Sequence, residues 1–226
     1  MSKIIFYNIP ASGHINPMQA VIAELVRKGH HVIYYNNEEA RTQIAPTGAE
    51  FRAYPAPADG ALRALMEQNN SGGIADNALK FVRVAEMLLP SVFETLRAEK
   101  PDLVLHDSLA GWGKQAAEVL NIPASSVLST FALNMRSMPA MPPVAMLKMM
   151  RDMVVRMPSY YQVAGRMKKA FGVKNYGLTG ALMSVNALNI VFTSREFQPA
   201  AETFDASYKF VGPSIAARPD TSGFPL

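Results

Sequence analysis

Short apolar segments alternate with amphipathic helical patterns along most of the chain, and this alternation restricts the fold more than any other feature. Residues 4–9 are rich in β-branched and aromatic side chains, and a loop sequence and a helical pattern ending at Gly29 follow them. The next apolar run begins at Val32. A helix between two strands is the usual crossover of a parallel pair, so the first 35 residues predict a β-α-β unit.

The same pattern continues and predicts a sheet of up to seven strands. The further apolar runs lie at residues 49–54, 102–106, 124–128, 189–192 and 208–211. Helical patterns cover residues 60–99 and 109–120, and the first of these is predicted to break near residues 69–73 and to bend or be interrupted at Pro90. We therefore expect an α/β domain over residues 1–213: a Rossmann-like, doubly wound, mostly parallel sheet with helices on both faces and the first strands in the order 3-2-1-4-5.

Several classes of function are excluded or disfavoured by the composition. The 226 residues include no cysteine, which excludes disulfide scaffolds, cysteine nucleophiles and thiolate metal sites. The chain has neither a Gly-x-Gly-x-x-Gly sequence nor a P-loop, which argues against a dehydrogenase or an NTPase. No cluster has metal-ligand spacing, so no metal is expected. Neither a signal peptide nor an apolar run of 18 residues is visible, so we expect a cytoplasmic chain.

One segment departs from the alternating pattern, a predicted Met-rich helical insertion over about residues 135–175. Residues 135–157 hold eight of the 14 methionines, and residues 148–174 hold seven basic side chains against one acidic. The net charge of the whole chain is only +4, so nucleic-acid binding is not expected. A helical spacing would place one set of methionines on one face: Met146, Met149, Met150, Met153 and Met157. Three basic residues would then lie on the other side: Lys148, Arg151 and Arg156.

Three interpretations of this Met face remain open at the level of sequence. It packs against the core, or it forms an adaptable apolar wall for a ligand, or the basic helix touches an anionic membrane surface. The low net charge disfavours the last of these, and membrane contact is not expected.

Two polar residues follow neighbouring strands at the point where ligands bind in doubly wound sheets. His14 lies in the loop predicted after the first strand, and Asp107 is the first residue beyond the fourth. Adjacent strands are about 4.8 Å apart, so the two side chains can meet. A histidine oriented by a carboxylate can act as a general base. The positions of the two residues are equally compatible with a structural role for His14 and with Asp107 as the N-cap of the next helix. The side chain of His106 is expected on the opposite face from Asp107.

The chain resembles a known family in five segments that occur in the same order. They are PASGHINP at residues 10–17, GHHV at 29–32, PDLVLHD at 101–107 with Trp112 after it, IP at 122–123 and FVGPS at 210–214. Together they are similar to the N-terminal, acceptor-binding half of macrolide-type UDP-glycosyltransferases of the GT-B fold. The resemblance covers essentially the whole chain.

The resemblance implies a reaction and roles for particular residues. The reaction is inverting transfer of a sugar from a UDP-sugar to a hydroxyl of an apolar natural product such as a macrolide or flavonoid, without a metal or cofactor. His14 matches the general base and Asp107 the residue that orients and charge-balances it. Contacts to the acceptor are expected from six further residues: Ser12, Phe81, Phe131, Asn134, Met149 and Met153.

The resemblance also predicts partners. Residues 214–226 match the beginning of an interdomain linker, and the C-terminal donor-binding domain of the family has no counterpart in the chain. We therefore expect the chain alone to be inactive and to need a donor-binding domain or subunit, with self-association through an exposed cleft face as a further expectation. An alternative is a non-catalytic small-molecule-binding or auxiliary protein derived from such an enzyme. The presence of both His14 and Asp107 favours the catalytic interpretation.

Overall fold

A computed structural model of the protein describes residues 1–67, 73–134, 136–137, 142–174, 177, 180 and 185–215. The strands of this part of the chain are β1 (Lys3–Tyr7), β2 (His31–Asn36), β3 (Glu50–Ala53), β4 (Leu103–Asp107), β5 (Ala124–Leu128), β6 (Asn189–Val191) and β7 (Tyr208–Phe210). Its helices are α1 (Ser12–Arg27), α2 (Arg41–Ile44), α3 (Ala56–Glu67), α4 (Ile74–Glu99), α5 (Gly111–Val119) and α6 (Pro143–Phe171). Short 3₁₀ turns lie at Glu38–Ala40, Ala45–Thr47 and Ala201–Thr203.

The strands form one parallel sheet in the order β3-β2-β1-β4-β5-β6-β7. This confirms the predicted order 3-2-1-4-5 and adds two strands at one edge. The order reverses between β1 and β4, which are hydrogen-bonded neighbours. Tyr7, the last residue of β1, is in register with Tyr35 on one side and His106 on the other. The carboxyl ends of these strands are therefore level, and they form the edge where a doubly wound sheet binds ligands.

Alternating side chains of the central strands build two separate cores. In β1, Ile5 and Tyr7 pack toward α3, α4, α5 and α6, whereas Ile4 and Phe6 pack toward α1 and α2. Successive side chains of a strand point to opposite faces of the sheet, so a strand that is covered on both faces contributes alternate residues to the two cores. Burial of each large apolar side chain stabilises the fold by roughly 1.5–3 kcal/mol. The prediction of a doubly wound sheet with helices on both faces is thus confirmed.

The predicted interruption at Pro90 is wrong, because α4 continues through this residue. Proline removes one backbone donor and usually kinks a helix. Here the residues on either side, Leu88, Leu89, Val92 and Phe93, are all buried at 3% exposure or less, so packing holds the helix on both sides of the proline. The predicted break at residues 69–73 falls mostly outside the described residues, and α3 and α4 end and begin on either side of it.

The Met-rich segment contains one long helix, α6, which packs against α4. Its C-terminal half supplies the buried residues of that contact, Tyr160, Val163, Ala164 and Met167. The helix ends at Phe171, and the next residue, Gly172, has a left-handed conformation (φ 72°) that terminates it. Among the described helices, none is both long and apolar enough to cross a membrane. Met135, Met138 and Met141 lie outside the described residues.

The predicted Met face is only partly confirmed. Met149, Met153 and Met157 are partly buried, but Met146 and Met150 remain 48% and 56% exposed. The prediction for Arg156 is wrong, because its guanidinium lies 3.2 Å from the carboxylate of Asp76 on α4 rather than on the far side of α6. The ion pair shows that the face of α6 toward α4 contains both charged and apolar side chains. The spacing of the apolar residues alone does not reveal this.

Candidate active site

Three side chains meet at the carboxyl ends of β1, β4 and β5. His14 lies in the first turn of α1, not in the preceding loop as predicted, because the helix already begins at Ser12. Asp107 is the last residue of β4 rather than the first residue after it. Ser129 directly follows β5. Since β1, β4 and β5 are consecutive in the sheet, the residues at their ends come within contact distance.

The structure brings His14 and Asp107 into direct contact. His14 Nδ1 lies 2.7 Å from Asp107 Oδ2, and the two side chains are 16% and 1% exposed. The other carboxylate oxygen, Oδ1, accepts a hydrogen bond from the Leu109 backbone N–H at 2.8 Å. Asp107 therefore contacts the histidine and orders the turn before α5. The N-cap interpretation of Asp107 is wrong, because the residue at the N-cap of α5 is Ala110. A carboxylate only accepts hydrogen bonds, so the proton is on Nδ1 and the lone pair of His14 is on Nε2.

Asn8 fixes the backbone of the turn that carries His14, a role the sequence analysis missed. Its Nδ2 donates to the His14 carbonyl at 3.1 Å and to the Tyr34 hydroxyl at 2.6 Å, and its Oδ1 accepts from the Ile9 N–H. Asn8 is fully buried, and burial raises the pKa of Tyr34, which keeps that hydroxyl protonated. The sequence signal for this role is the position of Asn8, a residue with a side-chain amide directly after the first strand.

His106 points to the other face of the sheet, as expected from the alternation along β4. Its Nδ1–H donates to the Asp107 carbonyl at 2.9 Å, and the Asn186 side-chain amide donates to Nε2. Complete burial lowers the pKa of His106 from 6.5 to about 4. This histidine is a neutral structural residue underneath the site.

A narrow cavity extends from the turn after Asp107 into the space between α4, α5 and α6. The side chains around it are mostly apolar, and they include Phe81, Trp112, Tyr160 and Met167. Gln115 adds an amide oxygen that is buried and has no hydrogen-bond partner among the described residues. The cavity has only about 20 Å³ of free space, room for about one water molecule, so it can admit no more than the edge of a ligand.

The residues predicted to contact an acceptor lie in different surroundings. Phe81 is 7% exposed and lines the cavity, while Ser12 is exposed at the start of α1. Met149 and Met153 are partly buried in the N-terminal half of α6. The ring of Phe131 lies 5.5 Å from that of Phe197. Of these residues, only Phe81 is among those that line the cavity.

Asn134 uses its side chain to order its own loop. Its Nδ2 donates to Thr203 Oγ1 at 2.7 Å, and its Oδ1 accepts from the backbone N–H groups of Arg136 and Ser137. A contact from Asn134 to an acceptor stays a prediction, and these bonds leave one amide hydrogen for it. In the part of the chain that the structure describes, no group of three or more His, Asp or Glu side chains could hold a metal ion.

Comparison with known proteins identifies relatives over almost the full chain. No protein-family model matches. The NDP-glycosyltransferase YjiC of Bacillus subtilis is 32% identical over 218 residues, which are 95% of this chain and 52% of the relative. The demethyllactenocin mycarosyltransferase of Streptomyces fradiae is 28% identical over 226 residues, 94% of this chain and 47% of the relative.

Solved structures give the same relationship. The calicheamicin glycosyltransferase CalG4 superposes with a TM-score of 0.72 at 25% identity, over 94% of this chain and 53% of that protein. The glycosyltransferase of kitacinnamycin shares the fold with a TM-score of 0.74 at 23% identity, over 100% and 55% of the two chains. The chain thus spans about half the length of these four proteins, and it is related to the N-terminal half of macrolide-type UDP-glycosyltransferases of the GT-B fold.

Proposed function

We propose that this chain is the acceptor-binding and base-supplying half of an inverting glycosyltransferase. In this proposal a sugar moves from a UDP-sugar to a hydroxyl of an apolar natural product, such as a macrolide or flavonoid. The contact between His14 Nδ1 and Asp107 Oδ2 carries the proposal, because it leaves Nε2 of a partly exposed imidazole free to accept a proton at the ligand-binding edge of the sheet.

The chemistry assigns one step to each side chain. His14 Nε2 takes the proton of the acceptor hydroxyl while the hydroxyl oxygen forms a bond to the anomeric carbon. The bond from that carbon to the diphosphate oxygen breaks, and UDP leaves with the bonding electron pair. Attack from the face opposite the leaving group inverts the anomeric centre. Asp107, almost completely buried, stabilises the imidazolium that forms.

The small cavity between α4, α5 and α6 offers room for one edge of the proposed acceptor, and its lining suits an apolar group. Its lining residues Phe81, Trp112 and Met167 offer apolar contact. Gln115 Oε1, which has no partner within the described part of the chain, can accept a hydrogen bond from a hydroxyl. The proposed partners are this acceptor and a donor-binding half, which binds most of the UDP-sugar. Neither a metal nor a cofactor is part of the proposed chemistry.

The proposal is tested by supplying the donor-binding half. We expect the chain alone to transfer nothing, and a fusion of the chain after Leu226 to the second half of a relative to glycosylate an apolar hydroxylated acceptor with inversion. In the fusion, His14→Ala should lower kcat by roughly 10²- to 10⁴-fold, since base catalysis contributes that much. His30→Ala, at the opposite end of the sheet, is the control and should retain activity.

The outcomes separate the two candidate functions. An active fusion that is indifferent to His14→Ala refutes the proposed base. A fusion that binds acceptor, measured by calorimetry, but transfers no sugar favours the alternative, a small-molecule-binding auxiliary protein. Sugar transfer by the 226-residue chain alone would show that it does not need a donor-binding partner.

A further inference from the structure

A second oxygen, besides the Asp107 carboxylate, contacts the imidazole of His14. The Ser129 Oγ lies 2.9 Å from His14 Nδ1, the same ring nitrogen that lies 2.7 Å from Asp107 Oδ2. The two oxygens come from neighbouring strand ends, since Asp107 ends β4 and Ser129 follows β5. We propose that Ser129 is a positioning residue that fixes the orientation of the His14 ring and reinforces the tautomer set by Asp107, an inference that rests on the function proposed above.

The direction of the Ser129 hydrogen bond follows from the chemistry of its neighbours. Asp107 accepts the Nδ1–H of His14, so Nδ1 has no lone pair to offer a second donor. Ser129 Oγ must therefore be a second acceptor of the same N–H, in a three-centre hydrogen bond. Both oxygens favour the tautomer with the proton on Nδ1, and this is the tautomer in which Nε2 can act as a base.

A second contact also changes how freely the ring can turn. The torsion that rotates a histidine ring has a broad, roughly two-fold energy profile, so one hydrogen bond at Nδ1 lets the ring pivot about that bond. Oxygens from two adjacent strands restrict this pivot and hold Nε2 in one direction. Catalytic groups need to be held within roughly 0.5 Å and 10–20° of the productive geometry. Loss of the Ser129 oxygen should therefore reduce the fraction of time in which Nε2 points at the acceptor.

Three variants separate the hydroxyl from the volume of the side chain. Ser129→Ala removes the oxygen, whereas Ser129→Thr keeps it. Thr130→Val removes the exposed hydroxyl of the next residue and is the matched control. Long-range ¹H–¹⁵N spectra of the 226-residue chain report the tautomer of His14 directly and need no catalytic activity. We expect wild type, Ser129→Thr and Thr130→Val to show the same His14 spectrum, with the proton on Nδ1. Ser129→Ala should keep this tautomer, because Asp107 still accepts the Nδ1–H, but its His14 ring resonances should shift because the ring is held by one oxygen instead of two.

The kinetic test uses the two-half fusion described above. Ser129→Ala should lower kcat by about three- to tenfold, the effect of losing one hydrogen bond, with KM for acceptor and donor unchanged. Ser129→Thr should restore kcat. A change in KM with constant kcat would instead indicate that Ser129 binds substrate, and it would overturn the inference.

Two further results would overturn it as well. One is a His14 spectrum that is the same in Ser129→Ala as in wild type. The other is a changed spectrum with unchanged kcat, which would show that the contact has no catalytic consequence. The failure of the proposed function is a different result, an active fusion that is indifferent to His14→Ala, and the tautomer measurement does not depend on it.

Discussion

Acidification should destabilise the fold through His106, the buried histidine beneath the candidate active site. Its pKa is lowered from 6.5 to about 4 because burial disfavours the imidazolium. Two contacts reinforce the neutral form: the amide of Asn186 donates to Nε2, and Lys114 adds a nearby positive charge. Protonation of Nε2 would place its N–H against the N–H of the Asn186 amide, and the buried site offers no solvent to accept either proton.

The size and sign of the effect follow from the two pKa values. Above pH 6.5 the residue is neutral in both states, and its contribution to stability is complete. As the pH falls from 6.5 to about 4, the unfolded chain binds the proton and the folded chain does not, so the free energy of unfolding decreases. One proton corresponds to about 1.4 kcal/mol per pH unit, which gives a loss of about 3 kcal/mol at pH 4.

The measurement is urea denaturation followed by circular dichroism between pH 4 and pH 8. His106→Gln removes the titrating group, so its free energy of unfolding should fall less steeply with acid than that of wild type, by about 3 kcal/mol over the whole range. Carboxylates titrate in both proteins and cancel in the difference. Val104→Ala, a buried neighbour in β4, is the control for simple destabilisation and should shift the wild-type profile without changing its slope. Parallel profiles for wild type and His106→Gln would refute the reasoning.

Three other changes have expected outcomes. Gly113→Ala should lower the free energy of unfolding by about 1–3 kcal/mol in urea titrations, because the new Cβ would lie 2.9 Å from Tyr7 Cδ2. Gly165→Ala is the control and should not destabilise, because beyond its own helix backbone and chain neighbours no atom of the described residues lies within 4 Å of the new Cβ. Met149→Ala combined with Met153→Ala should weaken the binding of an apolar acceptor in calorimetry and leave the circular dichroism spectrum unchanged; unchanged affinity would exclude these methionines from the pocket. The self-association expected from the sequence should be weakened by Phe197→Ser, since Phe197 is 73% exposed beside Phe131, and a wild-type chain that sediments as a monomer at high concentration would contradict it.

The sheet could be predicted because its information is local and repetitive. Apolar runs followed by helical patterns predict parallel strands, and the crossover rule then limits their order, so the order of β1 to β5 and the switch point beside β1 were available from the sequence. The meeting of His14 and Asp107 followed from that switch point. Helix continuity at Pro90 could not be predicted in this way, because it depends on packing from distant segments on both sides of α4.

The side-chain details of the site were less accessible. Ser129 follows a strand in the same way as Asp107, but β5 also contains Ser125 and Ser126, and the sequence does not indicate which hydroxyl reaches His14. The orientation of α6 was ambiguous for a similar reason. Apolar residues surround its N-terminal half, and Val144, Leu147 and Val154 remain 70–80% exposed, so periodicity does not identify the buried face.

Asp107 offers a way to separate folding from catalysis, because its two oxygens have different partners. Oδ1 accepts from the Leu109 N–H and orders the turn before α5, while Oδ2 contacts His14 Nδ1. In Asp107→Asn the amide oxygen can still accept from Leu109, so the free energy of unfolding should change by no more than about 1 kcal/mol.

The amide nitrogen of this asparagine would face His14 Nδ1 and donate to it. That contact favours the tautomer with the proton on Nε2, which cannot act as a base. We therefore expect the fusion carrying Asp107→Asn to lose most of its transfer activity with its fold intact, and the ¹⁵N spectrum of the chain to show His14 protonated at Nε2. Asp107→Ala should lose both the activity and about 1 kcal/mol of stability, since Leu109 also loses its acceptor. If Asp107→Asn keeps full activity, the carboxylate does not control the tautomer of His14, and the assignment of Asp107 as the partner of the base is wrong.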